Sequence, residues 1–432
     1  MKKPLCTFPW AHLDIETNGD IKYCCASVYD EGLSHTDDDG NHYNINTHSI
    51  DDAWNSDRMR QLREKLYNGI KAKECKVCWM QEEKGLWSVR NAANDAEKDC
   101  YPDIQETVNR SAENDFYVEE KPKYYQIQTG NLCNLACKMC HSDYSTTYGD
   151  FFYELYPEDV NQNKYNNVNK VRHQLRNTKP LRHEWPVRIG LKNLINNEKL
   201  QYITRLYLSG GEPTIILENL KFLDYLVESG HSKHIHLIIT TNATKINPNF
   251  AESIKHFQTV TMLLSIDSVG DAVELQRYPA KWDRLDANIQ QYMKLAAEYP
   301  SINVSFNIVI SSLTLPYLDQ LLIYIANINK TYMTHNTELN SSAIVGLDSG
   351  DFNLTHVPQS VAQKCLRAIK QVYNDNQNYF TSRTQSDIEN FIEFLNSFLF
   401  NNDYTEIHTA LETLQEHHPD YDIKDIFQVY YL

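Results

Sequence analysis

The 432-residue chain, 41% hydrophobic and 11% aromatic, is long enough for one large catalytic domain with an appended module, or for two or three smaller domains. A formal net charge of -16 and a pI near 5.4 leave counterion release little basic surface to draw on, so no nucleic-acid partner is expected. No run approaches the roughly eighteen apolar residues of a membrane span, and "MKKPLCTFPWAH" lacks the unbroken apolar stretch of a signal peptide; a cytoplasmic protein with no membrane partner is expected.

Ten cysteines are present, and all but Cys365 fall in the first third. In a reducing compartment such uneven clustering reads as metal ligation before it reads as a disulfide framework.

In chain order, residues 1–95 hold the first cysteine group. "HLDIETNGDIKYC" alternates around an Asn-Gly turn, a hairpin signal with Cys6 before it and Cys24 and Cys25 at its end; "CKVC" follows at Cys75 and Cys78. A charged, turn-rich stretch, 96–122, reads as a linker. From 123 to 350 short strand-like runs alternate with helical patterns: "YYQIQTG", "RLYLSGG", "HIHLIITTN", "VTMLLSID", "INVSFNIVIS" and "TELNSSAIVG". About six βα units predict an α/β fold, an incomplete (β/α)6 TIM-like barrel. The Asn- and Tyr-rich interval 148–202 breaks the repeat and reads as an insertion, and 351–432 as a helical tail.

"TGNLCNLACKMCHSDYS" places Cys133, Cys137 and Cys140 directly after the first strand, in the loop where barrel enzymes keep their chemistry. Three thiolates can hold three irons of a 4Fe-4S cube and leave the fourth open, whereas a closed structural site takes four ligands. The rival reading is a zinc site.

The C-x3-C-x2-C spacing after a first strand, with "LSGGEP" after the second, resembles the radical SAM superfamily. The resemblance implies that Cys133, Cys137 and Cys140 ligate a 4Fe-4S cluster whose open iron is chelated by S-adenosylmethionine. It also implies reductive cleavage of that cofactor to a 5'-deoxyadenosyl radical, which takes hydrogen from substrate. Met139 would lie against the adenine. Gly210, Gly211 and Glu212 would form the edge that receives the methionyl amino group. Ser265 and Asp267, in "SIDS", would face ribose or the methionyl part, Arg277, in "LQRYP", would pair the carboxylate, and Asn307 would meet ribose. The glycine common after the fourth-strand aspartate is here Ser268.

The N-terminal group resembles the auxiliary-cluster module called twitch, the short relative of the SPASM domain. That resemblance implies a second 4Fe-4S centre held by Cys6, Cys24, Cys75 and Cys78, with Cys25 as the alternative to Cys24, since adjacent strand residues face opposite ways. A four-cysteine zinc site has the same ligand count. His141, Cys100 and Cys365 are given no ligand role.

The expected reaction is hydrogen abstraction followed by electron transfer to the auxiliary centre, a net oxidation of a peptide, protein or small-molecule substrate, with an external one-electron reductant of flavodoxin or ferredoxin type. Redox-neutral epimerisation and SAM-dependent methyl transfer are the enzymatic alternatives; a zinc-stabilised binding protein is the alternative outside enzymes.

Overall fold

The computed structural model describes residues 5–28, 30, 32–83, 88–155, 182–332, 337–343, 352–398, 400 and 402–431. The chain divides into two compact units, the first comprising 1–132, 182–239 and 248–260, and the second 133–181, 240–247 and 261–432.

The first unit carries strands β1 (His12–Ile15), β2 (Ile21–Lys22), β3 (Tyr124–Gln128), β4 (Arg205–Ser209) and β5 (His236–Thr241), in the spatial order β2-β1-β3-β4-β5. The Asn-Gly hairpin forms as expected, with Gly19 at φ +92° and β1 antiparallel to β2. Its further pairing is non-local: β1 runs parallel to β3, with His12 beside Tyr124 and Ile15 beside Ile127, and β3, β4 and β5 continue in parallel. The N-terminal hairpin thus extends the sheet of the βα repeat.

Two-residue periodicity sorts the side chains of these strands. Leu13, Ile15, Tyr125, Ile127, Leu206, Leu208, Leu237 and Ile239 alternate with His12, Asp14, Tyr124, Gln126, Gln128, Arg205, Tyr207 and His236. One face is therefore apolar, and the other is polar apart from Ile238, although His12 and Asp14 are fully buried.

Residues 96–122, read from sequence as a linker, instead contain the end of helix Val89–Cys100 and the whole of helix Ile104–Glu113. Ile104, Thr107, Val108 and Ser111 recur on one buried face, and Ser111 Oγ accepts the Trp10 indole N–H at 2.8 Å. Arg63, on helix Asp57–Tyr67, is fully buried and has no carboxylate partner among the described residues; its guanidinium donates to the carbonyls of Pro9, Trp54 and Phe116 and to Asn55 Oδ1.

The second unit carries β6 (Thr259–Ser265), β7 (Ile302–Ile310) and β8 (Thr337–Ala343), in that order, with β7 parallel to β8. Helices Gly270–Gln276, Trp282–Glu298 and Leu318–Tyr332 connect them. Leu285, Ile289, Tyr292 and Met293 form the buried stripe of the longest connector, at the spacing expected of an amphipathic helix. The C-terminal region is helical as expected, with Gln359–Asn376, Ser382–Ser397 and Thr405–His417; Cys365 is buried in the first of these. The interval 148–202 shows helix Thr146–Leu155 at its start and short helices from Trp185 onward; its central part, 156–181, lies outside the described residues. Among the described residues no helix is long and apolar enough to cross a membrane.

Candidate metal and cofactor centres

The loop Cys133 to Cys140 is held in the second unit by its own backbone. Ala136 N donates to Tyr278 O at 2.6 Å and Lys138 N to Gln276 O at 2.8 Å, which fixes the loop against the segment after β6. Ser145 Oγ donates to Leu135 O at 2.5 Å, and the hydroxyls of Thr146 and Thr147 both donate to Cys133 O. Cys140 N closes a turn on Cys137 O at 2.9 Å. Cys137 is buried, while Cys133, Met139 and Cys140 are half-buried.

Burial raises the pKa of the Cys137 and Cys140 thiols, and Cys140 is raised further by the neighbouring Cys137 and Cys133. Arg277 pulls both Cys137 and Cys140 the other way, toward the thiolate form that a metal centre takes. Among the described residues no three His, Cys, Asp or Glu groups stand close enough to hold a single metal ion, so the fit rests on the nearness of Cys140 to both other thiols and on the donors around the sulfurs.

Two side chains meet those sulfurs. Arg277 Nη1 lies 3.8 Å from Cys137 Sγ and Asn242 Nδ2 lies 3.8 Å from Cys133 Sγ. Arg277 is also in ion contact with Asp267, Nε to Oδ2 at 2.7 Å, and Asp267 Oδ1 accepts the Val309 N–H at 2.8 Å. The Arg277–Asp267 contact is short but poorly aligned for a hydrogen bond, so it counts as a charge contact. Ser268 is fully buried and donates to Gln276 Oε1 at 2.8 Å, and Gln276 Nε2 donates to Leu313 O, so the serine fixes the loop from its own hydroxyl. Ser265 ends β6 nearly buried, and Asn307 is half-buried on β7 beside Asn340 of β8.

In the first unit the glycine pair serves a backbone crossing. A Cβ on Gly211 would meet Leu132 O at 2.1 Å, and one on Gly210, at φ +112°, would meet Gly130 O at 2.8 Å. Gly211 N and Glu212 N donate to Gly130 O and Leu132 O. The Glu212 carboxylate, almost fully buried, accepts from Thr214 N and Thr214 Oγ1 and so caps the short helix Pro213–Ile215. The pair packs the strand end that leads into the cysteine loop.

The N-terminal thiols also gather. Burial raises the Cys6 thiol, which Cys24 and Cys78 raise further. Cys24 is pushed up to about 12 by burial and then by Cys78, and Cys75 rises through burial, Cys24, Cys6 and Cys78. Cys25 rises through burial, Cys24, Asp14 and, last, Cys78, while Lys22 lowers it. Arg90 lowers both Cys6 and Cys78. The side chain of Cys100 lies outside the described residues.

The sequence reading omitted Asn242, which lies in "TTNAT" just after β5, and the pair Lys138 and His418, whose Nζ and Nε2 lie 2.6 Å apart. A polar residue directly after a parallel strand was the available signal for Asn242; nothing local marks His418.

The βα repeat carries three thiols in the loop after its first strand, and a second group of thiols gathers from the N-terminal hairpin and the helical segment Lys73–Glu83, the kind of arrangement that iron-sulfur proteins use. Residues 127–311 match the family described as the radical SAM superfamily, and residues 6–79 match SPASM, an iron-sulfur cluster-binding domain. The chain thus carries a radical SAM domain, with a SPASM-like module ahead of it. Its fold is that of an incomplete TIM-like barrel, and the two domains imply S-adenosylmethionine and 4Fe-4S clusters.

Among solved structures, Streptococcus suis SuiB bound to S-adenosylmethionine matches at 12% identity over 74% of this chain and 62% of that one, with a TM-score of 0.35. SuiB bound to precursor peptide SuiA gives 12% identity over 74% and 64%, with a TM-score of 0.36. The radical S-adenosylmethionine methyltransferase TsrM from Kitasatospora setae gives 11% identity over 38% and 31%, with a TM-score of 0.28. This chain thus spans under two thirds of the length of each, and likeness at this level bears on neither reaction nor substrate. The curated proteins give no significant match.

Proposed function

We propose that the protein abstracts hydrogen from a peptide, protein or small-molecule substrate and completes a net two-electron oxidation by passing an electron to the N-terminal centre. The observation that carries this reading is the pairing of an open three-thiol loop, Cys133, Cys137 and Cys140, with a separate closed set of thiols, Cys6, Cys24, Cys75 and Cys78. When bound, the loop cluster and S-adenosylmethionine supply the 5'-deoxyadenosyl radical that starts such chemistry. The chain's share is to hold the thiols in a fixed loop, to present Met139 beside them and to exclude water from Cys137. On this reading a flavodoxin- or ferredoxin-like protein delivers the electron in the cytoplasm.

The test is anaerobic reconstitution of the full chain followed by reaction with S-adenosylmethionine and dithionite. The reading expects iron and sulfide in a brown protein and release of 5'-deoxyadenosine. S-adenosylhomocysteine in its place would move the function to methyl transfer, and a colourless, zinc-loaded protein would sink the reading.

A further inference from the structure

We infer that Asn242 and Arg277 are hydrogen-bond donors to the cysteines of the loop centre and set its reduction potential, Asn242 through Cys133 and Arg277 through Cys137. The inference rests on the cluster reading of Cys133, Cys137 and Cys140.

The orientation of Asn242 follows from its neighbours. Its Oδ1 accepts the backbone N–H of Thr244 at 3.0 Å and the Thr244 hydroxyl at 2.6 Å. A backbone N–H can only donate, so the oxygen faces Thr244 and the NH2 group faces the opposite way. There the NH2 group meets Asn134 Oδ1 at 3.0 Å and Cys133 Sγ at 3.8 Å. Asn134 in turn donates to Thr244 Oγ1 at 2.8 Å, which closes a ring of three polar side chains behind one sulfur. Asn242 is nearly buried, so the ring is sheltered from water.

Arg277 is held differently. It and Asp267 are buried, and Asp267 is tied to the β7 backbone through Val309. The carboxylate neutralises the guanidinium and holds it nearby by charge, while Nη1 is directed at Cys137 Sγ. Both contacts are at the long end for a sulfur acceptor, and both donors are buried and held by further polar partners. Cys140 differs, since its sulfur contacts the carbonyl of His141 at 3.6 Å.

An N–H bond to a ligating sulfur withdraws electron density from the iron and favours the reduced, more negative cluster; such bonds are among the levers that set the potential of an iron-sulfur centre. Arg277 then acts on the cluster through Cys137, whereas the family resemblance would give it the carboxylate of S-adenosylmethionine. The two roles separate experimentally, because tuning shows in the cofactor-free potential.

The experiment uses full-length protein reconstituted anaerobically as wild type, Asn242→Ala and Arg277→Lys. Iron and sulfide are counted, and the loop centre is followed by EPR during a redox titration without S-adenosylmethionine, its signal identified as the one that the cofactor perturbs. Wild-type iron content with a more negative midpoint in both variants is the expected result. Full iron with unchanged midpoints would overturn the inference and leave the enzyme assignment intact, and loss of loop iron from both variants would also overturn it, since a tuning bond leaves ligation in place. A wild-type protein that takes up no loop iron would defeat the cluster reading itself.

Discussion

Asp14 and Lys22 are partners across the β1–β2 ladder, yet the Lys22 ammonium lies 2.8 Å from Glu16 Oε1 and, among the described residues, neither Asp14 oxygen has a well-formed hydrogen bond. Asp14 is fully buried, and desolvation, then Glu16, raise its pKa well above the ordinary carboxylate value; Lys22 and nearby Gln128 pull the other way without overcoming this. A carboxyl raised in the folded state is bound to its proton more tightly there than in the unfolded chain. Stability is therefore complete below the unfolded value and falls as pH rises toward the folded one. Asp14→Asn is expected to raise stability at pH 7 by on the order of 1–3 kcal/mol and to change it little near pH 3. Urea midpoints at the two pH values check this; equal gains at both would rule out the charge argument.

Cys24 and Cys25 are adjacent, but their surroundings differ. Cys24 is coupled to Cys6, Cys75 and Cys78, whereas Cys25 is coupled to Cys24, Asp14, Lys22 and, last, Cys78 and raises Tyr124 on the polar sheet face. Cys24 is accordingly the expected ligand of the N-terminal centre. Cys25→Ala should retain the wild-type iron, about eight per chain if both centres are cubanes, and Cys24→Ala should retain about four. The reverse pattern of iron counts would exchange the two roles.

The strands of the βα repeat were legible because each is a short alternating or apolar run bounded by turn residues, and β3 to β8 stand where those runs lie. The pairing of β1 with β3 was not legible: it joins residues more than a hundred positions apart, and no local pattern states which sheet edge a hairpin will extend. Residues 96–122 were read as a linker because charge density hid the apolar spacing of Ile104, Thr107, Val108 and Ser111, a buried face whose Ser111 meets Trp10 from a distant segment. The cysteine loop was visible in the sequence, but Asn242 and Arg277 could be placed on its sulfurs only once the strand ends had been brought together. The glycine pair was found for its closeness to ligand, whereas its nearest constraint is the backbone of Leu132.

Gly211 tests that constraint. At 2.1 Å from a Cβ, Leu132 O is a backbone atom one residue before Cys133, so it cannot move without displacing the start of the cysteine loop. Gly211→Ala is expected to cost about 3 kcal/mol or more and to lower the iron held at the loop. Iron counts that match wild type, with an unchanged unfolding midpoint, would show that the strand end yields freely.

His35 supplies the acid limit of the first unit. Its ring is buried, with Nδ1 3.1 Å from Ile21 O and Nε2 2.8 Å from Ser56 Oγ, and it stacks on Tyr23 at 4.5 Å. Burial pushes its pKa down to about 3, with Arg63, Arg58 and His42 acting in the same direction, while the Ile21 carbonyl opposes it. The unfolded chain binds this proton near the ordinary histidine value of 6.5, so the stability contribution is complete above that pH and is lost as pH falls toward 3. At pH 5 the loss from this one group is about 2 kcal/mol. His35→Gln should be less stable than wild type at pH 7.5, because the ring stacking is lost, and should show a shallower decline between pH 6.5 and 5. Urea midpoints across that range decide the matter, since parallel declines in the two proteins would place the acid sensitivity elsewhere.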